Sequence, residues 1–253
     1  MNEVLIFDLL GPMAHFRKYY TNSSSLTYGF PPRTVLMGVV AAVLGYERDT
    51  YYEAMDRGCF AVVPRVPCRR LIQTVNYVRT KSEDLTELRR LGRARGTQVP
   101  LEFLLPARGN SNLCFRIFFA HPDADLMKEA ACRLKENRSY YPLYLGLTEC
   151  IARGEYVLLA GKSDYQVLPP GNRVSLHSLL NAALLQEVLL AGSSCRLLRE
   201  RAPHSFGPER ALRPPVSVIY EDRGRPFTAR LHVPAFRFRF PDGEEETVVF
   251  LEG

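Results

Sequence analysis

The order of apolar segments along the first 160 residues restricts the fold more than any other feature. Val4–Leu10 is predicted to be a strand, because it is rich in apolar residues and is followed at once by a Gly-Pro pair. A polar loop runs from Met13 to Pro32. Val35–Leu44 is predicted to be a buried helix, since it is apolar almost all round and ends before Gly45. The chain therefore opens with a strand and a helix joined by a long loop.

Strands and a second helix continue this pattern. The predicted strands are Phe60–Pro67, Leu71–Val78, Leu113–Ala120, Leu143–Leu147 and Tyr156–Ala160. Asp123–Asn137 is predicted to be an amphipathic helix with Leu126, Ala130, Ala131 and Leu134 on one face. The order predicts the α+β class and a ferredoxin-like βαββαβ domain with an insertion in the middle.

The insertion is the most polar stretch, Arg79 to Gln98. It contains six basic and three acidic residues, which gives a net charge of +3, and only a thin apolar stripe. A stripe of this kind buries little, whereas ordering the backbone costs roughly 1–2 kcal/mol per residue. We therefore predict an arm or flexible hairpin at about 79–98 that projects from the body.

The chain changes character after Gly161. Short β-like runs alternate with turns rich in Pro and Gly; they are Val216–Tyr220, Phe227–Val233, Phe236–Phe240 and Thr247–Leu251. Arg223-Gly224-Arg225 is interpreted as a hairpin tip. The sequence predicts a first domain at 1–161 and a small C-terminal antiparallel β region at 162–253 that packs on it.

Basic residues outnumber acidic residues by 33 to 27, a net charge of +6, and 28 of the 33 are arginine. Arginine presents a planar fork of donors that suits phosphate and can stack on bases. An anionic partner is one explanation of this bias; genomic base composition is the alternative. The sign of the charge concerns association and carries no information on the fold.

The cysteines give no sign of a metal site. None of the six forms a CxxC pair or lies near a histidine at metal-ligand spacing. We interpret them as reduced core residues and predict no metal or cofactor. The first residues lack the basic and long apolar regions of a signal peptide. No stretch reaches the ~18–20 apolar residues that cross a membrane, so a cytoplasmic location is expected.

A set of catalytic residues is also missing. The chain has no HExxH, Walker or GxSxG motif, and its acidic residues do not cluster as a two-metal site requires. A metal-independent nuclease needs a general acid and a general base. His15 is the one histidine in a suitable setting, in a loop with Tyr19 and Tyr20. We predict that the chain is not an enzyme; a metal-independent endoribonuclease is the alternative.

Arginines and an aromatic residue alternate along two neighbouring predicted strands. They are Arg65, Arg69, Arg70, Arg79 and Tyr77. Such a surface binds RNA phosphates and stacks bases. A solvated strand face is the alternative interpretation.

Four segments together resemble one family. The first is FDLLGPMAHFRKYYTNSSSLTYGFPPRTVLMGVVAAVLG, from Phe7 to Gly45, and the others are TQVPLEFL at 97–104, YLGLTEC at 144–150 and RERAP at 199–203. They resemble, in the right order, the signature elements of the Cas5 family of CRISPR-associated proteins from Cascade complexes. The pattern is most similar to the type I-B branch.

The resemblance implies both a fold and a function. It implies a ferredoxin-like, RRM-related domain with a thumb-like hairpin, in a subunit that caps the 5′ handle of crRNA for antiviral defence. The implied partners are crRNA, the Cascade backbone subunit and large subunit, and target DNA through the assembled complex. One branch, in type I-C systems, cuts precursor RNA with a Tyr and an adjacent Lys-His pair. This chain has no Lys-His dipeptide, which argues against nuclease activity.

Handle recognition is predicted where the loop His15–Tyr20 meets the glycine loop Gly146–Glu149. A glycine lets backbone amides approach a nucleotide closely, and Phe16 or Tyr20 would stack an unpaired base. The alternative is that Gly146 only makes a turn. The predicted RNA-binding residues are His15, Phe16, Arg17, Lys18, Tyr20, Arg33, Arg69, Arg79, Arg93, Arg95, Gly146 and Thr148.

Overall fold

The computed structural model describes residues 3–21, 25–79, 81–92, 96–189, 195–207 and 210–253. The helices in these ranges are α1 (Arg33–Leu44), α2 (Tyr52–Asp56), α3 (Ser82–Arg89) and α4 (Ala124–Lys135), with a 3-10 helix at Ala182–Leu184. The strands are β1 (Val4–Gly11), β2 (Cys59–Pro64), β3 (Cys68–Val78), β4 (Gly96–Pro106), β5 (Leu113–Ala120), β6 (Leu143–Tyr144), β7 (Ile151–Ala160), β8 (Tyr165–Leu168), β9 (Arg173–Leu176), β10 (Leu180–Asn181), β11 (Leu185–Leu189), β12 (Leu197–Ala202), β13 (Val216–Glu221), β14 (Phe227–Leu231), β15 (Ala235–Arg239) and β16 (Glu245–Val248). The predicted mixture of helices and antiparallel sheets is confirmed.

Five strands form the central sheet in the order β2, β5, β1, β7, β6. β1 lies in the middle because nearly all its side chains are apolar and buried. Leu5 pairs with Phe119 of β5 on one side and with Leu159 of β7 on the other, both antiparallel. β6 is shorter than the predicted Leu143–Leu147, because Gly146 turns the chain with a φ of 91°.

The helices α1 and α4 pack on one face of the central sheet, and their buried residues join those of β1 and β5 in one core. α1 follows two prolines and ends at Gly45, whose left-handed backbone brings its N–H 2.9 Å from the carbonyl of Ala41. Asp123 caps α4 by accepting hydrogen bonds from the N–H groups of Asp125 and Leu126. Both helices therefore form where the sequence predicts them, with ends that differ by one or two residues.

The opposite face of the central sheet is covered by a second sheet with the order β16, β15, β8. Ile6 and Phe118 of the central sheet join Phe238 and Val248 in a second core. The rings of Phe118 and Phe238 lie 4.9 Å apart. This face of the central sheet is therefore buried inside the protein.

Six further strands of the C-terminal region make two more sheets, in the orders β10, β13, β12 and β11, β14, β9. The described part of the C-terminal region thus holds three small sheets, where one was predicted, and five of its strands, β8 to β12, were missed. The hairpin predicted at Arg223-Gly224-Arg225 is wrong, because β13 and β14 lie in different sheets. The carboxylate of Glu221 accepts the N–H groups of Arg223 and Arg225 and shapes this connection.

The C-terminal region also enters the main core. Leu179, Ala202 and Val218 belong to the same buried cluster as Phe7 and α1. The apolar interior is therefore continuous across residue 161. No helix in the described ranges is long and apolar enough to cross a membrane.

A long hairpin projects from the central sheet. β3 and β4 pair from Cys68 with Pro106 to Val78 with Gly96, and α3 follows at its tip without a buried residue. The arm predicted at 79–98 overlaps α3 and the first residues of β4, beyond the end of β3. Of its predicted binding residues, Arg93 and Arg95 lie outside the described residues.

Candidate nucleic-acid interface

The loop after β1 is fixed to the base of the hairpin by backbone hydrogen bonds. Ala14 and Leu104 each donate to the other's carbonyl, at 2.9 and 2.8 Å. Ser25 donates to Pro100 at 3.1 Å, and Glu102 donates to Ser25 at 2.9 Å. The loop after β1 and the segment TQVPLEFL therefore form one unit, although about 75–90 residues separate the bonded positions.

The glycine loop lies against the same unit. His15 donates its N–H to the carbonyl of Leu145 at 3.0 Å. A Cβ on Gly146 would lie 2.0 Å from the carbonyl oxygen of His15. The predicted proximity of the two loops is present, and glycine is required both by this contact and by the positive φ.

Replacing Gly146 with alanine is expected to destabilise the protein by about 1–3 kcal/mol, since left-handed backbone and a blocked contact add strain. Thermal unfolding measures the loss. Gly171→Ala is the matched control, because Gly171 has a φ of 78° with nothing within 4 Å of the added Cβ. An equal loss in both variants would show that the contact with His15 contributes nothing.

His15 is buried and both ring nitrogens are engaged. Nδ1 lies 2.7 Å from the carbonyl of Glu102 and Nε2 lies 2.9 Å from the hydroxyl of Ser25. Burial lowers the pKa of His15, against a smaller opposing effect of the Glu102 carbonyl. This ring has no free nitrogen for a substrate, so it serves to hold the loop in place.

Three other predicted binding side chains are buried as well. Phe16 is 1 % exposed and packs edge-on against Phe115. Lys18 is paired with Glu200, and Arg33 is held inside the protein. Their burial, like that of His15, leaves these side chains little surface for direct contact with RNA, so their predicted role in RNA binding stays a prediction.

Some of the predicted RNA-binding residues are exposed on the surface of this unit. Arg17 is exposed and donates one hydrogen bond to the carbonyl of Thr21. Tyr20 is 51 % exposed, and its ring lies 5.2 Å from that of Tyr19, which is 41 % exposed. Arg69 is exposed at the hairpin base. These residues combine phosphate donors with aromatic faces, the combination that binds single-stranded RNA.

Thr148 and Arg79 lie at the margins. Thr148 is exposed and donates to Glu149 at 3.0 Å. Arg79 lies beyond the hairpin strands, 3.5 Å from Asp84. The structure does not bring Arg79 to the glycine loop through any described contact.

Sequence reasoning missed the carboxylates beneath this surface. Glu102 is buried, and its Oε2 accepts the N–H of Thr27 at 2.9 Å. Glu200 contacts both Lys18 and Arg70. Both acids stand in segments that resemble family elements, TQVPLEFL and RERAP, and an acid among apolar or basic neighbours was the available signal. Among the residues that the structure describes, no cluster of His, Cys, Asp or Glu is arranged to hold a metal ion.

A family model described as CRISPR-associated protein (Cas_Cas5) matches residues 4–186, more than two thirds of the chain. The chain belongs to the Cas5 family. The family predicted from the four sequence segments is thus confirmed, and each segment except RERAP lies within the matched range.

Solved structures share the Cas5 fold. A chain of a CRISPR RNA-guided surveillance complex is 19 % identical with a TM-score of 0.51, covering 90 % of this chain and 91 % of that one. A CRISPR protein from Archaeoglobus fulgidus is 12 % identical with a TM-score of 0.54, covering 97 % and 98 %. No curated protein matches the sequence. At these identities the likeness establishes the fold alone.

Proposed function

We propose that this Cas5 protein is a non-catalytic subunit of a type I CRISPR surveillance complex that binds the 5′ handle of crRNA. The supporting observation is the exposed group Arg17, Tyr19, Tyr20 and Arg69, carried by a loop and a hairpin base that are hydrogen-bonded together. Cations beside aromatic faces bind unpaired RNA through phosphate contact and base stacking. The loop and hairpin fix the spacing of these groups before RNA arrives.

The strand order supports a ferredoxin-like βαββαβ unit made of β1, α1, β2, β5, α4 and β7. In this proposal β3 and β4 are the thumb-like insertion, and 162–253 is a β region packed on the domain 1–161. The second sheet closes the surface that an RRM uses. We therefore assign RNA binding to the loops and hairpin base instead of the sheet face.

The hairpin strands suit a protein partner. From Leu71 to Val78 and from Gly96 to Leu101 no residue is charged, and Ile72, Tyr77 and Val78 are exposed. Depletion of charge together with aromatic residues is typical of the centre of protein interfaces. We assign these strands to contact with the backbone subunit. The proposal also includes two further partners, the large subunit and, through the assembled complex, target DNA. It places the protein in the type I-B branch and in the cytoplasm.

The alternative, a metal-independent endoribonuclease, lacks support in the described residues. His15, the candidate general base, has both nitrogens engaged inside the protein. Incubation of the pure protein with its repeat RNA in EDTA tests this assignment. A single specific cut would overturn the non-catalytic proposal.

Arg17→Ala and Arg69→Ala are each expected to weaken binding of the repeat RNA and to make it less sensitive to salt. Loss of one phosphate contact reduces the slope of log K against log salt by about 0.7 for single strands. Fluorescence anisotropy at several salt concentrations measures both effects. Arg173→Ala, at an exposed position of β9, is the control. Slopes and affinities equal to the wild type in both test variants would contradict the assignment.

A further inference from the structure

One acidic side chain points into the junction of three separate segments. β12 lies at the edge of its sheet, and Arg199 and Arg201 of this strand are exposed. Glu200 lies between them and turns inward, with its side chain 10 % exposed. A strand places alternate side chains on opposite faces, so the arginines meet solvent and the acid meets the protein interior.

The carboxylate of Glu200 contacts three partners from distant parts of the chain. Arg70 Nη2, from β3, donates to Oε1 at 3.0 Å, and the hydroxyl of Tyr220, from β13, donates to the same oxygen at 3.0 Å. Lys18 Nζ lies 3.1 Å from Oε2, an ion pair without hydrogen-bond alignment. One side chain thus links the loop after β1, the hairpin base and the C-terminal sheet.

The charges at this junction balance. Arg70 Nη1 also lies 3.8 Å from Oε2 of Glu102, so two cations, Lys18 and Arg70, face two carboxylates. Lys18 and Glu102 are buried, so water weakens the attraction of each to its partner, Glu200 and Arg70 respectively, less than at the surface. A cleft of about 480 Å³, lined by Arg70, Glu200 and Tyr220 among others, opens at this cluster. An anion that reached the cleft would find Arg70 already paired with Glu200.

The two cations have exposed neighbours in sequence. Arg17 precedes Lys18 and Arg69 precedes Arg70, and in each pair the first residue is exposed and in the interface while the second is tied to Glu200. Lys18 is buried, whereas Arg70 is exposed with its guanidinium paired to Glu200. Pairing to Glu200, more than burial, therefore divides the basic residues into a set available to phosphate and a set that is withheld.

We propose that Glu200 is a positioning residue that sets the specificity of the RNA site, an inference that rests on the proposed function. Its carboxylate fixes the loop relative to the hairpin base and withholds the charge of Lys18 and Arg70 from phosphate. Every additional free cation strengthens binding to any RNA, whatever its sequence. Neutralising these two therefore suppresses binding of the wrong RNA more than binding of the right one.

The first test compares the salt dependence of RNA binding in variants of two adjacent residues, Lys18 and Arg17. If Lys18 is neutralised in the wild type, Lys18→Gln leaves the salt slope for a short oligouridylate unchanged, whereas Arg17→Gln reduces it by about 0.7. An equal reduction in both variants would overturn the proposal, since it would show that Lys18 contacts phosphate.

The second test removes the carboxylate. Glu200→Gln keeps the shape and the capacity to accept from Tyr220 and frees two cations, so the slope for oligouridylate is expected to steepen by about 0.7–1.4. The preference for repeat RNA over oligouridylate is expected to fall. Glu187→Gln, an exposed carboxylate paired with Arg230, makes the same change in net charge and is the control. A purely structural role would lower the melting temperature without changing slope or preference.

Different results would refute the proposed function and the role of Glu200. Wild-type protein that binds neither RNA would refute the proposed function and this inference together. Wild-type protein that prefers repeat RNA, with Glu200→Gln matching Glu187→Gln in slope and preference, would refute the role of Glu200 alone. If Glu200→Gln does not fold, the comparison of Lys18→Gln with Arg17→Gln still decides.

Discussion

Replacing Arg33 with alanine is expected to lower the free energy of unfolding by about 3–5 kcal/mol, the cost of removing one partner from a buried ion pair. Arg33 begins α1 and its side chain is 2 % exposed. It is hydrogen-bonded to the carboxylates of Asp56 and Glu252 and to the carbonyls of Gly58 and His204. The variant leaves buried acceptors and an unpaired Glu252 at the point where α1, α2, β2 and the C-terminus meet.

Thermal unfolding measures this loss, which corresponds to roughly 6–20 °C for a chain of this size. Arg48→Ala is the control, because the Arg48 side chain is 85 % exposed and surface changes usually stay within about 0.5 kcal/mol. A melting temperature within experimental error of the wild type would show that the buried contacts of Arg33 do not stabilise the fold.

The loss caused by Arg33→Ala is also expected to depend on pH. Burial raises the pKa of Glu252, and the charge of Arg33 opposes that rise. Without Arg33 the folded protein binds this proton more tightly than the unfolded chain does, so its stability increases as pH falls through the raised pKa toward 4.5. The difference from the wild type should therefore shrink between neutral pH and pH 4.5. A difference that grows over this interval would exclude Glu252 as the unpaired group.

Replacing Tyr19 and Tyr20 together with alanine is expected to weaken binding of repeat RNA by about 5–150-fold for each base that stacks on them. Both rings are exposed on the loop that is hydrogen-bonded to the hairpin base. Because stacking involves no ion release, the salt slope should stay close to that of the wild type. This separates the tyrosine variant from Arg17→Ala, which changes the slope.

The chain offers a matched control for the tyrosines. Tyr140 and Tyr141 are 61 % and 40 % exposed with rings 4.8 Å apart, against 41 % for Tyr19 and a ring distance of 5.2 Å in the first pair. Their segment is held to the end of α1. Equal affinity losses in the two double variants would mean that exposed tyrosines act non-specifically and that the loop after β1 is not the binding site.

Local signals were sufficient for much of the fold. Periodicity, paired prolines and a capping glycine located β1, α1 and α4, since these features act within one element. The strands β8 to β12 were missed because they are two to six residues long and their pairing partners lie elsewhere in the chain. Sheet membership depends on such distant pairing, which also explains the error at Gly224.

The sequence predicted which segments of the candidate site meet, but only partly which of their side chains are exposed. The loop His15–Tyr20, the hairpin base and Gly146 do meet. Arg17 is nonetheless exposed and Lys18 is buried. The sequence around them does not indicate which of the two is buried. That outcome depends on Glu200, which lies about 180 residues further along the chain.

The loop after β1 is attached part-way along the hairpin of β3 and β4. Eleven residues at about 3.3–3.4 Å each give a ribbon roughly 35 Å long. The point of attachment is the stretch Pro100–Leu104, which is hydrogen-bonded to Ala14 and Ser25. In the proposed function, a protein that binds the uncharged residues of the ribbon contacts the strand that is hydrogen-bonded to the loop carrying Tyr19 and Tyr20. We therefore expect protein docking on the ribbon and RNA binding at the loop to affect each other.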